Sequence, residues 1–181
     1  YLLFVIHKTA IVDVKAKVSD NVKIGPYCFI GPEVEIGTDT ILHSHVNIVG
    51  NTKIGKNNQI YPFSVIGSNP QHYKYSGEIT KLSIGDNNVI REHVTIHPGT
   101  EVGTKITKIG NNGFFMVGSH IAHDCEVGNN VIFVNNAVIG GHVKISDYVY
   151  LGGQSAVHQF CRIGKHAIIG AGTTIDGDVI P

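Results

Sequence analysis

The chain contains no tryptophan, a single methionine and three cysteines, and its fourteen basic residues are matched by fourteen acidic ones. Without a basic surplus it lacks the electrostatic footprint of a nucleic-acid-binding protein. Long runs of Ala, Leu, Glu and Lys are missing, so helix is not expected to dominate. No long hydrophobic run occurs either. The opening YLLFVI has no basic segment before it and no small-residue cleavage pattern after it, and it is too short for a secretory signal or a membrane span. With no address on the chain, the cytoplasm is the expected compartment. Tyr1 stands where a start methionine would, which reads as a fragment or a trimmed chain.

What is present is glycine, 22 residues of it, and an apolar share of 42 % carried largely by Ile and Val. At 181 residues one domain with a sizeable core is possible. The aliphatics recur on every sixth residue without a slip from Ile6 through Val12, Val18 and Ile24 to Ile66. They resume at Ile84, Ile90 and Ile96, and again from Ile109 through Phe115, Ile121 and Val127 to Ile175. Gly often follows directly, and a small or β-branched residue stands four positions on.

A period of six fits neither an amphipathic helix nor an alternating strand. It marks a hexapeptide parallel β-helix, in which three hexads close one triangular coil and each aliphatic points inward. The expected fold is therefore all-β, a left-handed parallel β-helix forming a triangular prism of roughly nine coils and ~43 Å at strand spacing. Glycine is expected to help turn the corners. Two segments break the period, about 67–83 and 99–107, and are predicted to be loops inserted at corners. Cys28, Cys125 and Cys161 fall on the small inward positions. Cys125 and Cys161 would stand two coils apart, ~9.6 Å, beyond bridging distance, so all three are predicted to be free and buried.

Stacking turns the sequence into a map, because residues three hexads apart lie one above another. His123, Gly141 and Gln159 form one column, Asp124, His142 and Phe160 the next, and Ala122, Gly140 and His158 the one before, with His120 close by. Nothing in the repeat demands these residues there. A histidine can take a proton from an alcohol that attacks a carbonyl. Asp124 could orient His123 if corner geometry swings it round, since neighbours in extended chain point apart. The Gly140–Gly141 pair would let backbone N–H groups approach an oxyanion. His7, His43, His45 and His166 are read as polar residues of the scaffold. Histidines on neighbouring coils also leave a zinc site as a rival reading.

The motifs HIAHDC (His120 to Cys125), GGH (Gly140 to His142) and AVHQFC (Ala156 to Cys161) resemble those of the bacterial UDP-N-acetylglucosamine acyltransferases of lipid A synthesis. So do IGPYCFIGPEVEIG, PQHYKYSGE and IREHVTIH, and the likeness covers essentially the whole chain. The resemblance implies transfer of a 3-hydroxyacyl group from acyl carrier protein to the 3-hydroxyl of UDP-N-acetylglucosamine, with no cofactor and no metal. By matching motif, His123 is the implied general base, Asp124 its partner and the Gly141 N–H the oxyanion donor. His120, His142, His158 and Gln159 would line the cleft, and Gln71 and Lys74 would reach the substrate. The family forms homotrimers with clefts between prisms, so Lys74 and His123 are expected to meet across an interface.

Four departures from the family pattern stand out. His72-Tyr73 replaces a usual Asp-Leu, which bears on whether the sugar carries a 3-hydroxyl or a 3-amine. Pro98 stands where Arg is common. Ala171 falls where the family measures acyl length, and its methyl predicts a shorter chain. The family continues into a helical C-terminal domain beyond the position of Pro181, so the chain reads as a truncated copy. Three other readings compete. The N-acyltransferase acting later in the same pathway shares much of the repeat, but the HDC, GGH and VHQF series and the PQxxKY insertion argue for the O-acyltransferase. A γ-carbonic-anhydrase-like zinc enzyme has a wider local His spacing than His120 and His123. An ice-binding solenoid would carry Thr ladders.

Overall fold

The structure is a computed structural model that describes residues 6–181. Of the opening YLLFVI only Ile6 is included, so the reading of that stretch lies outside the described residues. The described residues form short strands and no helix, and so no helix long and apolar enough to cross a membrane. The strands assemble into three all-parallel sheets of nine, eight and eight, the left-handed hexapeptide β-helix the repeat predicts. Each strand pairs with its equivalent one coil on, Val12 with Ile30, Ile30 with Ile48, and Ile121 with Ile139.

Most strands are two residues long because the hexad allows no more: one residue faces out, the aliphatic faces in, and the chain turns. The inward aliphatics from Ile24 to Ile169 are buried in one continuous core, each stabilising the fold by about 1.5–3 kcal/mol. Phe115 and Phe133 pack in adjacent coils with tilted rings, their centroids 5.2 Å apart. The small inward positions include all three cysteines, free and buried, and two asparagines satisfied internally. Asn58 accepts from the Asn88 N–H, and Asn88 accepts from the Gly113 N–H, which closes a polar ladder inside the prism.

The corners differ from expectation. Gly25, Gly37 and Gly55, directly after the aliphatics, do not adopt positive φ. Their task is close approach: a Cβ on Gly37 would stand 2.6 Å from the carbonyl carbon of Gly55, and one on Gly25 2.8 Å from that of His43. The left-handed residue comes two positions later and is usually not glycine. Tyr27, His45, Phe63, Asp124, His142 and Phe160 all take φ between 58° and 69° there, a region bulky side chains rarely occupy. Stacking along the corner supports it: Tyr27, His45, Phe63 and His93 form a ladder with centroids 5.0, 5.0 and 5.2 Å apart. His43 likewise packs on Tyr61, His166 stacks on Tyr148, and His7 bonds Thr9.

Both insertions leave from one sheet and re-enter the next, and they are shorter than the broken period implied. The strand Lys81–Ile84 begins inside the first, and Ile106–Ile109 inside the second. Across them the partner offset widens from 18 to 30 and then 25 residues.

Candidate functional site

His120 and Ile121 form a strand whose inward member is fully buried, and the chain then turns through Ala122, His123 and Asp124. Asp124 takes the left-handed corner conformation at φ 60°. That conformation brings its carboxylate back beside the preceding ring, and His123 Nδ1 lies 2.8 Å from Asp124 Oδ2. The expected corner geometry is thus present.

Asp124 is held from a second direction. The Thr100 N–H donates to both carboxylate oxygens at 3.1 Å, and its hydroxyl donates to Oδ2 at 2.7 Å. The Thr104 N–H donates to Oδ1 at 2.8 Å. Burial by itself would raise the Asp124 carboxyl, but the bonds from His123, Thr100 and Thr104 outweigh it and hold it well below the usual carboxylate range. An ionised Asp124 takes a proton donor from His123, so the imidazole carries its hydrogen on Nδ1 and leaves Nε2 with a lone pair.

Gly141 lies against that ring. A Cβ there would fall 2.5 Å from His123 Cε1 and 2.8 Å from Nε2, so any side chain would expel the imidazole. The Gly140 N–H is tied to the Val157 carbonyl, whereas the Gly141 N–H has no acceptor among the described residues and its residue faces the cleft. Of the glycine pair, only Gly141 has a donor to offer.

The cleft measures about 650 Å³ and brings His120, His123, Gly141, His158 and Gln159 together with Gln71, His72 and Tyr73 of the first insertion. Val138, Ala156 and Thr174, stacked outward on one sheet, give it an apolar extension. The His72 ring stands edge-on to His123 at 5.0 Å, so the insertion reaches the site within one chain.

Three expected residues lie elsewhere. Lys74 does not line the cleft; its Nζ sits over the Tyr73 ring at 5.6 Å. His142 lies round the corner, 5.2 Å from the His123 ring and stacked on Phe160 at 4.5 Å, and lines a separate pocket with Asp124 and Phe160. Ala171 is exposed beyond the cleft lining, whose far end is Thr174.

His97 was missed because the insertion shifts the stacking count. It is buried, accepts a long bond from the Gln71 N–H at 3.4 Å, and meets His120 edge-on at 4.9 Å. Burial, with His120 and His123 beside it, depresses it to about 4. His120 is lowered mainly by burial while its Nδ1 lies 2.7 Å from the Thr95 hydroxyl, and His142 is lowered mainly by burial too. These three imidazoles are therefore neutral near pH 7, and the cluster does not accumulate charge around His123.

His123, Asp124 and His142 offer ligand atoms within 4.8 Å of one another. Both Asp124 oxygens already accept from Thr100, Thr104 and His123, so a cation would have to break that network. The donor set suits proton transfer better than metal binding.

Residues 15–50 and 142–177 match the bacterial transferase hexapeptide (six repeats) family. The chain is 48 % identical, over 97 % of its length and 67 % of the relative's, to the acyl-[acyl-carrier-protein]–UDP-N-acetylglucosamine O-acyltransferase of Herminiimonas arsenicoxydans. Its fold matches the solved LpxA of Acinetobacter baumannii with a TM-score of 0.96 and 50 % identity, covering 97 % of this chain and 68 % of that one. It also matches the UDP-N-acetylglucosamine O-acyltransferase (LpxA) of Moraxella catarrhalis with a TM-score of 0.93 and 49 % identity, again over 97 % and 68 %.

Proposed function

The chain belongs to the UDP-N-acetylglucosamine O-acyltransferases, the enzymes of the first step of lipid A synthesis, and we propose that it moves a 3-hydroxyacyl group from acyl carrier protein to the sugar's 3-hydroxyl with His123 as general base. The observation that carries this assignment is the His123 Nδ1–Asp124 Oδ2 bond of 2.8 Å under a ring that lies on Gly141. His123 Nε2 takes the 3-hydroxyl proton as that oxygen attacks the thioester carbonyl. The negative charge that forms on the carbonyl oxygen accepts the Gly141 N–H. Collapse breaks the carbon–sulfur bond, and the proton on His123 passes to the departing thiolate. Asp124 remains ionised throughout and stabilises the imidazolium between the two transfers.

Gln71, His72, His120, His158 and Gln159 are the proposed contacts to the acceptor, and Val138, Ala156 and Thr174 those to the acyl chain. Ala171, exposed and outside the lining of the cleft in a single chain, is the proposed determinant of acyl length, meeting the acyl end in the assembled enzyme. A homotrimer with clefts between neighbouring prisms accompanies this reading, supported by flat faces that suit cyclic packing. In it Lys74, which does not line its own cleft, would serve a neighbour's. The cytoplasm is the proposed compartment.

The test is to incubate the protein with 3-hydroxyacyl carrier protein and UDP-N-acetylglucosamine and detect the acylated sugar by mass spectrometry. His123→Ala should lower the rate by about a hundredfold or more. An undiminished rate in that variant would remove His123 as the base. Offering the 3-amino sugar nucleotide beside the 3-hydroxyl one reads the effect of His72-Tyr73.

A further inference from the structure

The second insertion, residues 99–105, contributes nothing to the lining of the cleft, yet it supplies most of the hydrogen bonds to Asp124. We propose that this loop is a positioning element, with Thr100 its central positioning residue, that sets the direction of the Asp124 carboxylate and through it the tautomer of His123. The proposal rests on the reading of His123 as base.

The loop is built rigidly for this task. Its root is fixed where the Thr80 hydroxyl donates to the Gly99 carbonyl at 2.6 Å and the Lys81 N–H to the Lys105 carbonyl at 2.9 Å. The Thr100 carbonyl accepts from both Gly103 and Lys105 N–H groups and closes the loop on itself. Thr100 is fully buried, and the Asp124 side chain is fully covered.

Gly103 passes so close that a Cβ would stand 2.4 Å from the carboxylate carbon. The Thr100 N–H is shared by both oxygens, and the remaining donors differ in kind. Oδ1 faces the Thr104 N–H, while Oδ2 receives the Thr100 hydroxyl and His123. Thr100 and His123 thus compete for one oxygen's lone pairs, and the Thr100 hydroxyl leaves His123 a single direction of approach. The Thr104 hydroxyl contributes less, since its one hydrogen is shared between Oδ1 at 3.0 Å and the Ile106 carbonyl at 2.8 Å.

A carboxylate on a flexible side chain would offer either oxygen to the ring and would rotate as the imidazole charges. The clamp removes that freedom before substrate arrives, and orientation supplied in advance lowers the barrier without altering substrate binding.

The experiment compares Thr100→Val, Thr100→Ser and Gly103→Ala with the wild type by steady-state kinetics and by NMR of 15N-labelled histidine, which reports the His123 tautomer without turnover. Thr100→Val and Gly103→Ala should each lower kcat by about tenfold with KM within about twofold, and should reduce the Nδ1–H population. Thr100→Ser, which keeps the hydroxyl, should restore both signals. A wild-type kcat and tautomer in Thr100→Val would overturn the clamp. So would a loss shared by Val and Ser variants with the tautomer unchanged, because that marks a merely structural role. A His123→Ala enzyme at full rate would overturn the base assignment instead, and the tautomer signal would still read the clamp on its own.

Discussion

Burial makes His97 a neutral support under the first insertion rather than a second base. Its folded value of about 4 lies below the ~6.5 of an unfolded histidine, so on acidification the unfolded chain binds the proton first. The cost is absent above about pH 6.5 and grows as pH falls toward 4, to the order of 3 kcal/mol. Urea midpoints at pH 7 and pH 4.5 should therefore fall less in His97→Gln than in the wild type, and equal falls would contradict the buried neutral state. Asp124 has the opposite chemistry and the same direction. Its depressed carboxyl contributes stability above the ordinary carboxylate range that is lost only as pH falls through its own lower value. Cys125 sits beside this site and is no rival nucleophile, since burial pushes its thiol up to about 12 and the thiolate is the reactive form.

At the scale of the hexad, two positions that look alike in sequence do different work. The glycine after the aliphatic lets coils approach, while the left-handed residue two places on turns the corner. Gly37→Ala places a Cβ against Gly55 carbonyl and Lys56 amide atoms, 2.6 to 2.9 Å away, and backbone cannot yield as a side chain can. It should cost about 1–3 kcal/mol, whereas Gly177→Ala, with nothing within 4 Å, should stay within about 0.5 kcal/mol. Thermal melts of the two variants side by side would decide it, and equal melting points would reject close approach as the reason for Gly37. The same corner geometry explains the site. Asp124 reaches His123 because the hexad's corner is left-handed, so the scaffold's ordinary turn is also what pairs the proposed base with its carboxylate.

For the molecule as a whole, the three sheets bury their aliphatics inward and leave broad faces outward, and the cleft lies on one of those faces. The proposed trimer would close the cleft with a neighbouring prism. Light scattering should then give a mass near three times the 19.5 kDa of one chain, independent of concentration over the micromolar range. A monomer mass would leave Lys74 without a cleft to serve and would place the whole site in one chain, where His72 already reaches His123.

The prism itself was legible in the sequence. Ile24, Ile30, Ile36 and their successors state the period directly, and one inward side chain per hexad suffices to specify coil, core and stacking. The His123, Gly141 and Gln159 column followed by the same count, because equal coils put equal positions together. The count failed at the insertions. His97 lies one coil from Ala122, its N–H on the Ile121 carbonyl, but the spacing between them is no longer three hexads. Thr100 and Thr104 reach Asp124 from a loop with no period at all, and His72 meets His123 by the same route. Periodicity reports what every coil shares. The groups that aim a particular carboxylate or crowd a particular ring come from segments that leave the repeat, and only the folded path of those segments decided which side chains meet.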